Sequence, residues 1–333
     1  MSRLPVMKVF RPELRQTPVS RVADTPSASV VVPVYNSAAG LATLVERLKP
    51  VLDSCCLRYE LILVNDGSAD HSWEVIRQLC ADNAWIRGIN LMRNYGQHSA
   101  LLCGIRASRH AVVVTLDDDL QNPPEEIPRL LGQLERGYDV VYGTPRREQH
   151  ALWRNAASRL TKVALQGAMG IEAARSVSAF RVFRTRVRDG FQHYNGPFVS
   201  IDVLLTWSTK RFGAIEVQHA PRTLGNSNYT LGKLINHAVN LITGFTTLPL
   251  RLATWIGFAF TLFGAVIFGF VLWRYISRGD SVPGFPFIAS IVSLFSGAQL
   301  FALGIIGEYM ARMHFRSMGA PSAVIGERIG MDE

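Results

Sequence analysis

Cysteine is scarce in this chain, and its four cysteines are not spaced as metal ligands. They fall in apolar, helix-like stretches, so we predict reduced core residues in a cytosolic domain rather than a zinc centre or a disulfide framework. They are Cys55, Cys56, Cys80 and Cys103. Zinc-finger spacing and a basic recognition helix are also missing, so we expect no nucleic-acid partner.

Two widespread nucleotide-binding motifs are missing as well. No G-x-G-x-x-G follows the first predicted strand, and no P-loop lysine motif occurs. These absences argue against a dinucleotide-binding Rossmann site and against a P-loop triphosphatase. Residues 1–27 are basic but hold no continuous apolar stretch, so we expect a flexible leader there rather than a secretory signal.

Apolar residues are abundant, by contrast, near the C-terminal end. Hydrophobic residues make up 48% of the chain and the net charge is +9. A protein that is both apolar and basic is suited to an anionic membrane surface. Segments 252–273 and 284–307 carry no charge, and each is long enough to cross a hydrocarbon core of about 30 Å. We therefore predict a transmembrane hairpin over residues 251–311, preceded by an amphipathic membrane-interface helix over residues 230–250.

Two spans place the segments on either side of the hairpin on one face of the membrane. Basic residues near the spans predict that this face is cytoplasmic, although Arg274 and Arg278 on the outer loop argue weakly against it. The basic residues are Lys233, Arg251, Arg312, Arg316 and Arg328. We expect a multi-pass protein of the inner (plasma) membrane with a cytoplasmic domain over residues 28–229 and a cytoplasmic tail over residues 312–333.

Strand-like and helix-like segments alternate within that domain. The β-branched, apolar runs are Ser29–Val34, Glu60–Val64, Ile86–Leu91, Ala111–Val114 and Tyr138–Tyr142. This alternation predicts an α/β fold with a doubly wound, mostly parallel sheet. Polar clusters follow the first, second and fourth runs, at the sheet edge where such folds bind their ligands.

The most informative cluster is the acidic run after the fourth strand. Asp117, Asp118 and Asp119 stand side by side, and carboxylates this close repel one another and raise each other's pKa. A hard divalent cation relieves that repulsion, because it prefers oxygen ligands. Asp117 and Asp119 can face one ion, with Gln121 adding a neutral oxygen. The alternative is a solvated acidic turn that begins the next helix.

The motifs together resemble glycosyltransferase family 2, which has the GT-A fold, and in particular its membrane-anchored polyprenyl-phosphate glycosyltransferases. That group includes dolichol-phosphate mannose synthases, bactoprenol glucosyltransferases and undecaprenyl-phosphate aminoarabinose-type transferases. The resembling stretches cover residues 28–318 and include VPVYN (32–36), VNDGSADHS (64–72), RNYGQHSAL (93–101), LDDDLQNPPEEIP (116–128), APRTLGNSNY (220–229), TTLPLR (246–251) and GEYMAR (307–312).

The resemblance implies roles for individual residues. The nucleotide-sugar would be bound by Pro33, Tyr35, Asn36, Asp66, Gly67, Asp117 and Asp118. A Mg²⁺ or Mn²⁺ ion would be held by Asp117, Asp119 and Gln121. The lipid phosphate would be bound by Arg175, Arg181, Arg222, Ser227 and Tyr229. Asp119, Arg181 and Arg222 would be the catalytic residues.

The implied reaction is the inverting transfer of one sugar from a nucleotide-sugar, which we expect to be a UDP-sugar, to undecaprenyl or decaprenyl phosphate. The implied assembly is a homo-oligomer, of which a tetramer is one form. The sequence departs from the resembled pattern at Ser37, where many relatives have an acid, at residues 174–179, where some have an Asp, and at Asn228, where many have Lys.

Two alternatives to this reaction remain open. A catalytically degenerate transferase that serves as a membrane scaffold would tolerate the loss of acids at Ser37 and within residues 174–179. A processive polysaccharide synthase is disfavoured because its QxxRW motif is absent and two spans are too few to form a polymer channel.

Overall fold

The computed structural model describes residues 27–145, 177–196, 198–220, 248–278 and 284–331. The strands are β1 (Ala28–Val34), β2 (Tyr59–Asn65), β3 (Ile86–Leu91), β4 (Val112–Thr115), β5 (Val140–Pro145), β6 (Arg181–Arg184), β7 (Phe212–Val217) and β8 (Ile325–Ile329). The α-helices are α1 (Ala38–Cys55), α2 (Ser72–Asp82), α3 (Gln97–Ala107), α4 (Ile127–Glu135), α5 (Ile201–Thr206), α6 (Leu248–Arg278) and α7 (Phe285–Ser317). Short 3₁₀ turns cover Pro124–Glu126 and Thr185–Gly190.

One sheet organises the domain, with the strands in the order β7-β5-β6-β4-β1-β2-β3-β8. Its centre, β4-β1-β2-β3, is parallel, which confirms the predicted α/β class. Every residue of β1 is buried, because helices cover both faces and both must therefore be apolar. Helices α1, α2 and α4 pack on one face, and α3 and α5 pack on the other.

The sheet is mixed toward its two ends. Strand β6 is antiparallel to both β4 and β5, and β8 is antiparallel to β3. Neither reversal was predicted, because the direction of a short strand depends on its non-local partner rather than on its own residue pattern. Strands β5 and β7 pair in parallel, so only β6 and β8 run against the other described strands, as a mostly parallel sheet predicts.

Strand β8 lies within residues 312–333, for which the sequence predicted a cytoplasmic tail and no strand. Strand β8 pairs with β3 at the edge of the sheet, and Glu327 of β8 is hydrogen-bonded to α2. The Glu327 carboxylate accepts hydrogen bonds from the Trp73 indole at 3.1 Å and from Arg77 Nη2 at 2.6 Å. After the two apolar helices, the chain thus adds its last described strand to the same sheet that contains β1.

Helices α6 and α7 contain the two candidate membrane spans, Pro249–Arg274 and Leu294–Ser317. The predicted span 252–273 lies within α6, whereas the predicted span 284–307 stops short of the end of α7. Large apolar side chains such as Trp255 and Phe258 are exposed, at 70% and 61%. Burying such surface is strongly favourable, so an apolar environment around these helices accounts for it.

Several predicted features lie outside the described residues. They are the leader up to residue 26, the interface helix up to residue 247, the residues before 177 that precede β6, and the loop from Pro221 to Tyr229.

Candidate active site

Strands β1, β2 and β4 end at one edge of the sheet, where the predicted nucleotide-binding and metal-binding residues follow them. In the parallel ladder Val34 of β1 lies beside Asn65 of β2, and Val31 of β1 lies beside Thr115 of β4. The residues that follow these strands therefore emerge together, as predicted from parallel strand geometry. We call this group, residues 35–38, 66–72 and 117–121, the acidic edge.

Hydrogen bonds connect the loops after β1 and β2. The Asn36 amide N–H donates to Ser68 Oγ at 3.0 Å, and the Ala69 N–H donates to Asn36 Oδ1 at 2.8 Å. Asn36 has a φ of 53°, a left-handed conformation that Asn adopts more readily than most residues. The Asn of the VPVYN motif therefore shapes this loop.

Asp66 holds a third loop in place. It is 3% exposed, and its two oxygens accept the N–H groups of Tyr95 and Gly96 at 2.7 and 2.9 Å. Burial raises the pKa of Asp66, and these two donors act against that rise. The carboxylate predicted to contact the nucleotide is thus bonded to protein backbone.

Gly67 allows that loop to come close. Its φ is +62°, and a Cβ at this position would lie 2.4 Å from the carbonyl carbon of Arg93. Both the left-handed backbone and the close approach exclude a side chain. Asp66 and Gly67 therefore bring the 93–96 loop against the acidic edge.

The three aspartates have different partners. Asp117 Oδ1 accepts a 2.6 Å hydrogen bond from Gln97 Nε2, Asp118 Oδ2 accepts the Tyr35 N–H at 3.2 Å, and Asp119 Oδ1 accepts the Gln121 N–H at 3.1 Å. Asp118 thus connects β4 to the loop after β1. Gln97 was not singled out from the sequence, although it lies in the RNYGQHSAL stretch and opens α3.

The surroundings of Asp118 also shift the pKa of its carboxyl. Burial raises the pKa of Asp118, and the charge of Asp119 adds to that rise. The Ser37 hydroxyl and the Tyr35 N–H stabilise the charged form and act in the opposite direction. Ser37, which replaces an acid in the resembled pattern, therefore removes one negative charge from beside Asp118.

The oxygen-rich character of the acidic edge suits a hard divalent cation. Asp117, Asp119 and Gln121 present only oxygen donors toward a cation. Within the described ranges, no group of three or more His, Cys, Asp or Glu side chains is placed to hold a metal ion. Two carboxylates are too few to complete the shell of such an ion, so its remaining ligands would come from water and a bound phosphate.

Arg181 is placed differently from the prediction. It is 1% exposed, its Nη1 donates to Asp202 Oδ1, and its Nε donates to Thr115 Oγ1 at 3.1 Å. A guanidinium enclosed in this way does not face an acceptor phosphate, so its predicted contact with the lipid phosphate requires correction. A buried charge needs a paired carboxylate, and Asp202 provides it.

Tyr142 completes this buried group. Its hydroxyl donates to Asp202 Oδ1 at 3.1 Å, and burial raises the pKa of the phenol well above its ordinary value. In the sheet register, Thr115, Arg181 and Tyr142 are direct neighbours. Asp202 was not singled out from the sequence.

The remaining predicted phosphate ligands lie outside the described residues. They are Arg175, Arg222, Ser227 and Tyr229. Their contact with a lipid phosphate stays a prediction.

Comparison with known proteins supports the motif-based prediction. The chain matches the glycosyl transferase family 2 profile over residues 29–191. It is 36% identical over 310 residues to the undecaprenyl-phosphate 4-deoxy-4-formamido-L-arabinose transferase of Yersinia pestis, covering 92% of this chain and 94% of the relative. The protein of the same name from Aeromonas hydrophila is 38% identical over 298 residues, with coverage of 87% and 90%.

A solved structure shares the fold. Glucosyl-3-phosphoglycerate synthase from Mycobacterium tuberculosis, in complex with Mn²⁺, uridine diphosphate and glucosyl-3-phosphoglycerate, superposes with a TM-score of 0.50 at 19% identity, covering 66% of this chain and 78% of that one. The relatives match most of this chain. This chain therefore belongs to glycosyl transferase family 2, as its motifs predicted.

Proposed function

We propose that this protein transfers a single sugar, with inversion, from a nucleotide-sugar to a polyprenyl phosphate at the cytoplasmic face of the plasma membrane. A UDP-sugar is the expected donor and undecaprenyl or decaprenyl phosphate the expected acceptor. The names and coverage of the relatives support this reaction class.

One structural observation carries the proposal. The acidic edge and the two candidate membrane spans are parts of one sheet-based unit, because β8 follows α7 and pairs with β3. A chain that crosses a membrane twice returns to the side from which it started. We propose that this connection holds the site at the surface where a polyprenyl phosphate presents its head group.

The donor half of the reaction needs charge neutralisation. When the sugar–oxygen bond breaks, negative charge grows on the departing diphosphate, and bound Mg²⁺ or Mn²⁺ would offset that charge. Asp117 and Asp119, with Gln121, would hold the ion. Asp118 and Asp66 keep the surrounding loops in position through the backbone of Tyr35, Tyr95 and Gly96.

The acceptor half needs positioning more than proton removal. A phosphate monoester has a second pKa of about 6, so a polyprenyl phosphate is largely a dianion at neutral pH. Such a nucleophile needs little help from a general base, which fits the lack of an Asp within residues 174–179. We propose that Arg175, Arg222, Ser227 and Tyr229 bind this phosphate.

The assembly is also a proposal. We infer a homo-oligomer that packs through glycines of the apolar helices, with a tetramer as one form. A Cβ added at Gly257, Gly269, Gly297, Gly304 or Gly307 would meet no atom within 4 Å among the described residues. Close helix approach at small residues is a common mode of membrane helix packing.

The reaction is tested with the full chain purified in detergent. It is incubated with a short-chain polyprenyl phosphate, Mg²⁺ or Mn²⁺, and a panel of UDP-, GDP- and dTDP-sugars, and glycolipid is sought by mass spectrometry. We expect one glycolipid that requires both the metal and the lipid phosphate. Absence of product with every donor, together with absence of metal-dependent nucleotide binding, would support the degenerate scaffold instead.

A further inference from the structure

A cationic cavity lies on the α3 face of the sheet. It encloses about 340 Å³ between β3, the C-terminal half of α3 and the C-terminal strand β8. Cys103 and Arg106 line it, whereas Gln97 at the other end of α3 contacts Asp117 of the acidic edge. At a rise of about 1.5 Å per residue, roughly 13 Å of helix separates Arg106 from Gln97. The cavity is therefore distinct from the candidate active site.

Three arginines from three elements line this cavity. They are Arg87 of β3, Arg106 of α3 and Arg328 of β8, and no acidic side chain is among the described lining residues. Glu60 pairs with Arg87 from outside the cavity lining, and it also accepts bonds from Ser29 and the Arg109 N–H. Among the described lining residues, the three arginines therefore face the cavity without a carboxylate beside them.

The arginines retain hydrogen-bonding capacity. Arg87 is 5% exposed, and the Nε atoms of Arg87 and Arg106 are buried with no hydrogen-bond partner in the part of the chain that the structure describes. Burial lowers the pKa of Arg106, which reflects the cost of holding this charge away from water. A bound anion would accept hydrogen bonds from these Nε atoms and would provide a counter-charge for Arg106.

The walls indicate what kind of anion fits. Ile89, Cys103 and Ile325 make part of the lining apolar, and charge-assisted hydrogen bonds are stronger in such a setting than in water. Arg328 lies opposite Ile89 in the β3–β8 ladder, whereas Glu327 is bound to α2 on the other side of the sheet. The cavity therefore combines net positive charge with an apolar surface.

The cavity also lies near the end of the second apolar helix. Arg106 donates through Nη2 to the Tyr194 carbonyl, and Arg316 in the last turn of α7 hydrogen-bonds the Tyr194 hydroxyl. Two contacts thus connect the cavity to the point where α7 ends. A ligand carried by the membrane surface and a soluble one are both within reach.

We propose that this cavity binds a phosphate group on a small amphipathic molecule through Arg87, Arg106 and Arg328. The proposal does not depend on the sugar-transfer reaction. The phosphate belongs to an anionic phospholipid head group or to a soluble phosphomonoester, and the experiment separates these two sources.

The first arm uses inorganic phosphate as the probe. The unfolding temperature of the full chain in neutral detergent is measured against phosphate concentration at constant ionic strength. We expect phosphate to stabilise the protein, and Arg328→Gln to raise the half-effective concentration about tenfold, as loss of a charge-assisted hydrogen bond implies. Arg328→Lys should retain part of the response. Arg58→Gln removes the same charge from an exposed site and should change nothing.

The second arm identifies the source. The wild type and Arg328→Gln are placed in nanodiscs of phosphatidylcholine with or without phosphatidylglycerol, and retained lipid is counted by native mass spectrometry. Retention of phosphatidylglycerol that depends on Arg328 assigns a lipid head group. A phosphate response without such retention assigns a soluble phosphomonoester.

Two results would overturn the proposal. Equal phosphate responses in the wild type and Arg328→Gln would show that the anion binds elsewhere. Asp332 and Glu333 directly follow Met331, which also lines the cavity, so these two carboxylates are rival counter-charges. A response that appears only in Asp332→Asn/Glu333→Gln would assign the cavity to those two residues.

Discussion

Arg181 and Asp202 form an ion pair that is almost completely removed from solvent, with side-chain exposures of 2% and 7%. The pair lies beside Thr115, two residues before Asp117 of the acidic edge. It therefore connects α5 to the strand that precedes the predicted metal ligands. The buried pair thereby fastens that strand to α5 through hydrogen bonds.

Breaking this pair from one side should be costly. Arg181→Met leaves the Asp202 charge buried without its partner, and we expect a loss of about 3–5 kcal/mol in the free energy of unfolding. Arg181→Met/Asp202→Leu should recover much of that loss, since both charges are gone. Arg47→Met, which breaks the exposed pair with Glu125, is the control and should cost at most about 1 kcal/mol. Chemical unfolding followed by tryptophan fluorescence measures all three.

Equal stability of Arg181→Met and Arg47→Met would contradict a buried structural pair. In that case Arg181 would return to its sequence-based role as a ligand of the acceptor phosphate.

Gly67→Ala should disturb the acidic edge without removing any polar group. The new Cβ would lie 2.4 Å from the Arg93 carbonyl carbon, in a backbone of positive φ, so we expect a loss of about 1–3 kcal/mol in stability and weaker nucleotide binding. Gly132→Ala is the matched control, because no atom lies within 4 Å of its added Cβ. Because Gly132 lies within helix α4, Gly132→Ala should increase the free energy of unfolding by about 0.5–1 kcal/mol. Loss of stability in both variants would contradict the steric argument.

Asp139 should make stability fall in acid. Burial acts to raise the pKa of Asp139, but hydrogen bonds from Arg211, Thr209 and Arg186 outweigh it and hold the pKa well below its ordinary value of 3.8. The unfolded chain therefore binds the proton more readily than the folded chain. The contribution of Asp139 to the free energy of unfolding is complete at pH values above the ordinary pKa and is lost as the pH falls below it.

Asp139→Asn tests this directly. Unfolding free energy measured from about pH 5 to pH 3 should fall less steeply in Asp139→Asn than in the wild type, and Arg211→Gln should lie between them. An unchanged slope in Asp139→Asn would show that other carboxylates account for the acid sensitivity.

Arg312 and Phe198 should couple α7 to the segment that precedes α5. Arg312 Cζ lies 4.5 Å from the centre of the Phe198 ring, and its side chain is 12% exposed. A double-mutant cycle with Arg312→Gln and Phe198→Leu should give a coupling energy of about 1–2 kcal/mol. Additive effects would mean that the helix and the domain are energetically independent here. A cycle of Arg312→Gln with Phe270→Leu, near the far end of α6, is the control.

The central sheet and the acidic edge were predictable because their signals are local. The Ser29–Val34 run predicts a strand buried on both faces, and parallel strands bring their carboxyl ends to one edge. The motifs added the family, which the relatives confirm over most of the chain.

The rest depends on contacts between residues far apart in the sequence. Strand β8 is five residues long, too short for its pattern to predict a partner, and it is stabilised by Trp73 and Arg77 from α2. Similarly, the residues next to Arg181 in the sequence do not predict its burial against Asp202. Local pattern therefore predicts the elements, while pairing decides strand direction and which charges reach the site.

Metal-dependent sugar transfer at the acidic edge is tested most directly by initial rates. Once the donor is known, glycolipid formation is measured against Mg²⁺ or Mn²⁺ concentration in the wild type, Asp119→Asn and Asp82→Asn, the last a surface carboxylate at the end of α2. We predict that a chelator abolishes wild-type activity, that Asp119→Asn lowers the rate roughly 100-fold, and that Asp82→Asn matches the wild type. Equal rates in Asp119→Asn and the wild type would contradict the assignment of the chemistry to this edge.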